Sequence, residues 1–127
     1  MTKKIEMIVE CTNTGYSAYS SEYPVYTVGS GMEELKTNMV EALNLYFEEQ
    51  GKSVTENDIN IVLDIGQFFD FYKVINAAAL SERLDISRDV MAQYVNGSKK
   101  PSSAQTKRIL TGLQQIGQEL AQMRYLL

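Results

Sequence analysis

The sequence predicts an α+β fold in which a mixed βββαβ domain, residues 1–65, is followed by an all-helical domain, residues 66–127. Near the start, apolar and polar residues alternate with the period of two that is typical of strands. After Gly66, apolar residues recur at the steps of three and four that are typical of helices. The net charge changes sign at the same point, from −7 (4 Lys/Arg against 11 Asp/Glu) to +3 (8 Lys/Arg against 5 Asp/Glu).

Four short segments of the first domain carry strand patterns. Residues 4–11 alternate between apolar and polar positions, which predicts a half-buried strand. Residues 16–20 and 25–28 are aromatic and β-branched, and the Asn and Gly of residues 12–15 favour a tight turn. These three segments therefore predict an antiparallel meander. Residues 59–65 are almost all apolar, as expected for a strand that a helix covers.

One helix is predicted between the third and the fourth strand. Ser30 and Glu33 have the spacing of a capping box, in which each side chain accepts a hydrogen bond from the other residue's backbone N–H. The following apolar residues recur at helical steps and predict a face packed on the sheet: Met32, Leu35, Met39, Leu43, Tyr46 and Phe47. Gly51 is the predicted terminator, because glycine adopts positive φ without strain.

The second domain carries four helix patterns. Residues 67–75 and 76–84 favour the first two. Ser87 is a predicted N-cap for a short helix over residues 88–96, which Gly97 ends. A second capping-box pattern, Ser102 with Gln105, begins the last helix.

The last helix carries an apolar seam at strictly alternating four- and three-residue steps. Such a stripe either packs onto the helices of its own domain or forms a symmetric helix–helix contact with a second copy. The seam is the predicted dimer contact and consists of Ile109, Leu113, Ile116, Leu120 and Met123.

Composition excludes several classes of function. The chain has no histidine, which excludes histidine-based acid–base catalysis and the common zinc sites, and its single cysteine, Cys11, cannot form an internal disulfide. Cys11 is best interpreted as a small core residue. No apolar run approaches the roughly 20 residues that span a bilayer, and the start does not resemble a signal peptide. We therefore expect a cytoplasmic protein without a cofactor.

Residues 80–101 have the pattern of a helix-turn-helix. The second helix ends in Asn96-Gly97, followed by the basic residues Lys99 and Lys100 and by Pro101. This pattern resembles the XRE and phage-repressor family, which implies binding of operator DNA. Ala77 stands about where that family often has a glutamine, and Asp85 occupies the usual glycine of the turn, where Asp tolerates positive φ better than most residues. The alternative is a helical bundle used only for dimerisation.

The expected DNA contacts divide between bases and phosphates. The start of the second helix enters the major groove, where Arg88 favours guanine, Gln93 favours adenine, and Asp89 accepts from cytosine or orients Arg88. Lysines beyond the end of the helix meet phosphates. The complete predicted DNA-binding set is Ser87, Arg88, Asp89, Gln93, Asn96, Lys99 and Lys100. Repressors of this type read paired half-sites, so we expect at least a homodimer.

The first domain resembles the HicB antitoxin family. The motifs that carry the resemblance are Gly15-Tyr16-Ser17-Ala18, the run from Tyr23-Pro24 to Gly29, and a helix with Glu33-Glu34-Leu35 and a later Ala42-Leu43 pair. Val25-Tyr26 follow Pro24, where the family commonly has Gly-Cys. The resemblance implies a degraded RNase H-like domain that blocks a HicA-like toxin, a small mRNA-cleaving ribonuclease, without being an enzyme itself.

The charge of the first domain agrees with that implication, because a toxin that holds RNA phosphates must be basic and an acidic domain attracts it. The predicted toxin contacts are Glu6, Glu10, Glu33, Glu34 and Glu41. Two other classes of function stay open. An active nuclease would hold metal ions with Glu10, Asp58 and Asp64. A stand-alone XRE-type repressor would use the first domain to bind a ligand or to dimerise.

Overall fold

The computed structural model describes residues 3–127 and divides the chain into two compact units, with the boundary between Phe71 and Tyr72. The sequence placed this boundary after Ile65. The segment between these positions is a helix that belongs to the first unit, so the change in charge precedes the structural boundary. Each unit builds its own core, and the chain has the mixed α+β character that the sequence predicts.

The first unit contains a four-stranded sheet in the order β3-β2-β1-β4. Strands β1 (Ile5–Thr12), β2 (Gly15–Ser20) and β3 (Tyr26–Gly29) form the predicted antiparallel meander. Helix α1 (Met32–Phe47) then crosses the sheet, and β4 (Ile59–Leu63) pairs in parallel with β1. A crossover is required because β3 and β4 run in the same direction at opposite edges of the sheet, so a hairpin cannot join them.

Helix α1 covers one face of the sheet and forms the core with it. Its fully buried side chains Leu35, Met39 and Leu43 pack with alternate residues of β1, among them Met7 and Val9. Alternation places the intervening strand residues on the opposite face, which we term the open face. The open face includes Glu6, Ile8, Glu10, Tyr19, Tyr26 and Val28.

Two local predictions for this unit are wrong. The capping box of Ser30 with Glu33 does not form, because Gly31 is the N-cap residue of α1 and makes no side-chain cap. The Glu34 carboxylate instead accepts hydrogen bonds from the Ser30 backbone N–H (3.2 Å) and the Ser30 hydroxyl (3.1 Å). The last strand is also shorter than predicted, because helix α2 (Ile65–Phe71) begins two residues after β4 ends.

Side-chain amides replace backbone partners at three points of the first unit. The Gln67 amide pairs with both the N–H and the carbonyl of Cys11, each at 2.8 Å, and so extends the ladder between β1 and β4. Asn44 pairs in the same manner with the N–H (2.7 Å) and carbonyl (2.9 Å) of Val54. On the edge strand β3, the Val28 carbonyl accepts a hydrogen bond from the Asn38 amide at 2.8 Å.

The second unit is helical. Helix α3 (Ala77–Arg83) is capped by the Asn76 side chain, α4 (Arg88–Asn96) by Ser87, and α5 (Ser103–Ala121) by Ser102. A 3₁₀ turn, Gln122–Leu126, follows α5. The predicted helix over residues 67–75 is wrong in its bounds, because α2 ends at Phe71. None of the helices in residues 3–127 is long and apolar enough to cross a membrane.

Helix α5 packs against the turn between α3 and α4. Ile109 is fully buried, and a Cβ added at Gly112 would lie 2.3 Å from Leu84 Cδ2, which shows how closely the two segments approach. Arg108 donates to the Leu84 carbonyl and, at 2.9 Å, to the Gln105 side chain. The turn is therefore held from α5 by both packing and hydrogen bonds.

Candidate nucleic-acid interface and acidic surfaces

Helix α4 is divided into a buried and an exposed side. Met91 and Tyr94 are buried in the second unit, as their three-residue spacing requires. All seven predicted DNA-binding residues lie on the exposed side of α4, at its N-cap, or in the loop that follows it: Ser87, Arg88, Asp89, Gln93, Asn96, Lys99 and Lys100. These side chains therefore share one continuous, solvent-accessible surface.

The turn before α4 contains one residue in the left-handed conformation. Asp85 has a φ of 57°, so this aspartate takes the left-handed conformation that glycine usually supplies. Ile86, the next residue, is buried and anchors the turn in the core. The Ser87 hydroxyl accepts a long hydrogen bond of 3.5 Å from the Val90 N–H. Ser87 thus acts as a helix cap within the predicted DNA-binding set.

The basic loop is folded back onto the end of α4. Gly97 has a φ of 80° and donates its N–H to the Tyr94 carbonyl at 3.3 Å. The Lys99 N–H then donates to the Gln93 carbonyl at 3.2 Å. The Asn96 side-chain oxygen accepts from the Ser98 N–H at 2.8 Å. This hydrogen bonding fixes where the loop leaves the helix and holds the backbone of Lys99 against the end of α4.

Arg88 is paired with α3 rather than with its neighbour Asp89. Its Nη1 lies 3.7 Å from Glu82 Oε1, and both side chains are two-thirds exposed. Orienting Arg88 was one of the two roles predicted for Asp89, the other being to accept from cytosine; the pairing that the structure gives to Arg88 is with Glu82. An exposed ion pair of this kind contributes little to stability, so Arg88 stays available to another anion.

Sequence reasoning missed two positioning residues, Gln105 and Arg108. The Gln105 amide donates to the Tyr94 hydroxyl at 3.4 Å, and Arg108 donates to the turn carbonyl of Leu84. Both side chains belong to α5 but act on α4 or on the turn before it. Their three-residue spacing places them on one side of α5, yet no local pattern in the sequence indicates contacts this distant along the chain.

The five predicted toxin contacts lie on two different surfaces. Glu6 and Glu10 belong to the open face of the sheet, whereas the other three lie on the exposed side of α1, which covers the opposite face: Glu33, Glu34 and Glu41. One partner surface cannot contact both sets through a flat interface. Glu34 is in addition occupied by its hydrogen bonds with Ser30.

Tyr19 on the open face is influenced by three nearby carboxylates. Burial raises the pKa of the Tyr19 hydroxyl, and the negative charges of Glu10, Asp64 and Glu6 raise that pKa further. Asp64 takes part because it lies directly beyond β4 and its backbone N–H donates to the Val9 carbonyl at 2.9 Å. The negative charges of three carboxylates on this side of the sheet therefore act on one aromatic side chain.

The three nuclease candidates do not form one site, because Asp58 lies apart from the neighbouring pair Glu10 and Asp64. Asp58 precedes β4 and Asp64 follows it, which separates them by about 20 Å along an extended strand. Both carboxylates cap local structure, since Asp58 accepts from the Thr55 N–H at 2.9 Å and Asp64 from the Gln67 N–H at 3.1 Å. In residues 3–127, no three His, Cys, Asp or Glu side chains are grouped to hold a metal ion.

Three of the basic side chains of the first unit line one groove. Lys3, Lys4 and Lys52 line a groove of about 530 Å³ together with Tyr23 and Phe47. Lys52 lies 5.5 Å from the centre of the Phe47 ring, and Lys3 pairs with Glu22 at 3.6 Å. These three lysines are three of the four Lys/Arg residues in residues 1–65.

The predicted dimer seam changes character along α5. Ile109 is fully buried inside the second unit, so a second copy cannot reach its side chain. Leu113 and Ile116 are half-buried. Leu120 and Met123 are 60% and 52% exposed. Ile109, the first residue of the seam, therefore belongs to the core of the second unit, whereas Leu120 and Met123 at the other end form a solvent-exposed apolar surface.

Cys11 lies on the covered face of the sheet and is buried. Burial raises the pKa of its thiol above the ordinary value. The side chain therefore remains a neutral thiol at neutral pH.

No protein-family model, curated protein or solved structure gives a significant match to this chain. The resemblances to the HicB and XRE families therefore depend on the motifs of residues 15–43 and 80–101 alone.

Proposed function

We propose that this chain is the antitoxin of a toxin–antitoxin module. Its acidic first unit occludes a small, basic, HicA-like mRNA-cleaving toxin, and its helical second unit binds operator DNA and represses the operon. Binding and occlusion require no catalytic group and no cofactor. The protein acts in the cytoplasm, where both the mRNA and the operator are found.

The observation that carries the proposal is the exposed surface of α4. A short helix presents Arg88, Asp89 and Gln93 to solvent, and a basic loop with Lys99 and Lys100 is held beside its end. A major groove about 12 Å wide admits such a helix, so its side chains reach base edges while the lysines meet phosphates. Two features hold the turn between α3 and α4 that places this helix: the left-handed conformation of Asp85, and the hydrogen bond that Arg108 of α5 donates to the Leu84 carbonyl.

The opposite net charges of residues 1–65 and 66–127 support separate binding roles for the two segments. Residues 66–127 carry a net charge of +3, which favours DNA, and residues 1–65 carry −7, which repels it. An acidic surface attracts a basic RNA-binding protein and competes with RNA for it. The exposed end of the α5 seam supports assembly of two copies, as paired operator half-sites require.

DNA binding is tested with the promoter of the chain's own gene. Arg88→Ala is expected to cost about 1–3 kcal/mol of binding free energy on the specific site. Lys99→Ala is expected to weaken binding evenly across sequences and to reduce the salt dependence by about one phosphate contact. Fluorescence anisotropy over a salt series measures both effects.

The matched control is Arg124→Ala, which removes the same charge from the 3₁₀ turn after α5. Operator binding that is unchanged by Arg88→Ala, or reduced equally by Arg124→Ala, would show that α4 is not the recognition helix.

The antitoxin role is tested by co-expression with the neighbouring reading frame. A small basic product that stops growth alone, and is neutralised by this chain in a stoichiometric complex, is the expected result. A chain that binds its operator but has no such partner would instead be a stand-alone repressor.

A further inference from the structure

The open face of the sheet carries an apolar row that crosses all four strands. The register places Val62 beside Ile8, Ile8 opposite Tyr19, and Tyr19 opposite Tyr26. Because neighbouring strands are about 4.8 Å apart, the row is about 15 Å long. Cross-strand neighbours of this kind form one contiguous surface.

The exposed end of this row lies on β3. Tyr26 is 65% exposed and Val28, two residues further along the same strand, is 52% exposed. Most strand residues of the first unit are half-buried or buried. Two large apolar side chains left in water on one short strand are unusual for a surface that only faces solvent.

Carboxylates flank the apolar row on both sides. Glu6 lies two residues before Ile8 on β1, and Glu10 two residues after it, with Asp64 next to Glu10 at the end of β4. An apolar centre with a charged rim is the usual arrangement of a protein-binding surface. The pKa of Tyr19, which all three carboxylates raise, supports the conclusion that they face this centre.

The charge of the open face specifies the partner. No Lys or Arg stands within any of the four strands, and three of the four Lys and Arg side chains of residues 1–65 line the groove beside Tyr23 and Phe47. DNA and RNA are repelled by such a face. A second copy of the same face would place carboxylates against carboxylates, which costs binding energy.

We propose that the open face is the surface on which the acidic unit receives a basic protein, with Tyr26 and Val28 as apolar anchors and Glu6 and Glu10 as the charged rim. The existence of that partner rests on the proposed function, whereas the choice of surface does not. Of the two acidic surfaces, the sheet face binds and the exposed side of α1, with Glu33 and Glu41, does not.

The test uses the full-length chain and the purified product of the neighbouring reading frame as the probe. Tyr26→Ser is expected to weaken binding by at least about tenfold, the effect of losing a central aromatic anchor. Val28→Thr keeps the β-branched shape, so it is expected to preserve the fold while also weakening binding. Glu6→Gln with Glu10→Gln is expected to slow association and to reduce its salt dependence.

Leu45→Ser is the matched control, because Leu45 lies on α1 and is 66% exposed, as exposed as Tyr26. It is expected to leave affinity unchanged.

A loss of binding in Leu45→Ser but not in Tyr26→Ser or Val28→Thr would place the partner on α1 and overturn the inference, while the antitoxin role would stand. A free chain whose oligomeric state changes with Val28→Thr would make the open face a self-contact, which also overturns it. A probe that does not bind the wild-type chain would overturn both proposals.

Discussion

In the first unit, two side-chain amides make hydrogen bonds to backbone groups that a neighbouring strand would otherwise make. Gln67 and Asn44 each satisfy both the N–H and the carbonyl of a distant residue, Cys11 and Val54 respectively. Buried backbone groups that lose their partners cost free energy, so each amide protects a position where no strand is available. Neither pairing is readable from the sequence, because a glutamine or asparagine in a helix gives no sign of which backbone it will meet.

Replacing Gln67 with leucine is expected to lower the free energy of unfolding of the first unit by about 2 kcal/mol, since two hydrogen bonds are lost at once. Urea denaturation followed by circular dichroism measures this change. Gln118→Leu, on the exposed surface of α5, is the control and is expected to change stability by less than about 0.5 kcal/mol. Equal effects of the two substitutions would contradict a structural role for the Gln67 amide.

The elements of the fold follow from the sequence more closely than their ends do. Period-two and helical spacing predicted the order βββαβ and the helices α3, α4 and α5. Ser87, Ser102 and Gly97 cap their helices as predicted, because each of those bonds spans only three residues. The Gln105 half of the predicted capping box does not form, because the Gln105 side chain pairs with Tyr94 and Arg108 instead. The predicted start of α1 was wrong, because Ser30 pairs with Glu34 and does not cap the helix. The predicted end of the last strand was also wrong, because Asp64 caps α2 and so ends the strand early.

The candidate DNA-binding surface was predicted more accurately than the candidate toxin contacts, because only the former depends on residues close together in the sequence. The α4 surface lies within one short segment, so its spacing alone predicts which side chains are exposed. The acidic contacts depend on which face of the sheet α1 covers, which only the tertiary structure decides. The sequence therefore grouped Glu6 and Glu33 together, although the fold separates them.

The turn between α3 and α4 depends on one aspartate in the left-handed conformation. Asp85→Val is expected to lower stability by about 1–3 kcal/mol, because a β-branched side chain is strained at a φ of 57°. Asp85→Gly is expected to remain within about 1 kcal/mol of wild type, because glycine adopts this conformation freely. Thermal unfolding distinguishes the two variants. A valine variant as stable as the glycine variant would show that the turn relaxes to another conformation.

At the level of the whole molecule, the chain combines two surfaces of opposite charge with an apolar helix end. The seam on α5 starts in the core at Ile109 and emerges into water at Leu120 and Met123. Apolar side chains that continue a buried stripe are suited to a helix–helix contact with a second copy. In such a dimer, the two copies of α4, the helix proposed to read the operator, would be held as a pair.

Leu120→Glu and Met123→Glu are expected to convert a dimer into a monomer, because each places a charge in an apolar contact. Sedimentation velocity at micromolar concentration measures the mass. Gln118→Glu adds the same charge off the seam and is expected to leave the dimer intact. A wild-type chain that sediments as a monomer, or glutamate variants that remain dimers, would show that the seam is not the contact.

The Asn38 amide on the edge strand β3 has a further consequence. Exposed strand edges recruit other extended chains, which leads to runaway β-sheet growth and insoluble fibrils. Because the Val28 carbonyl already accepts from Asn38, this four-residue edge offers fewer open backbone groups to an incoming strand. Tyr26 and Val28 are thus exposed on the face of a strand whose edge is short and partly occupied, which disfavours the addition of a further strand beside this apolar patch.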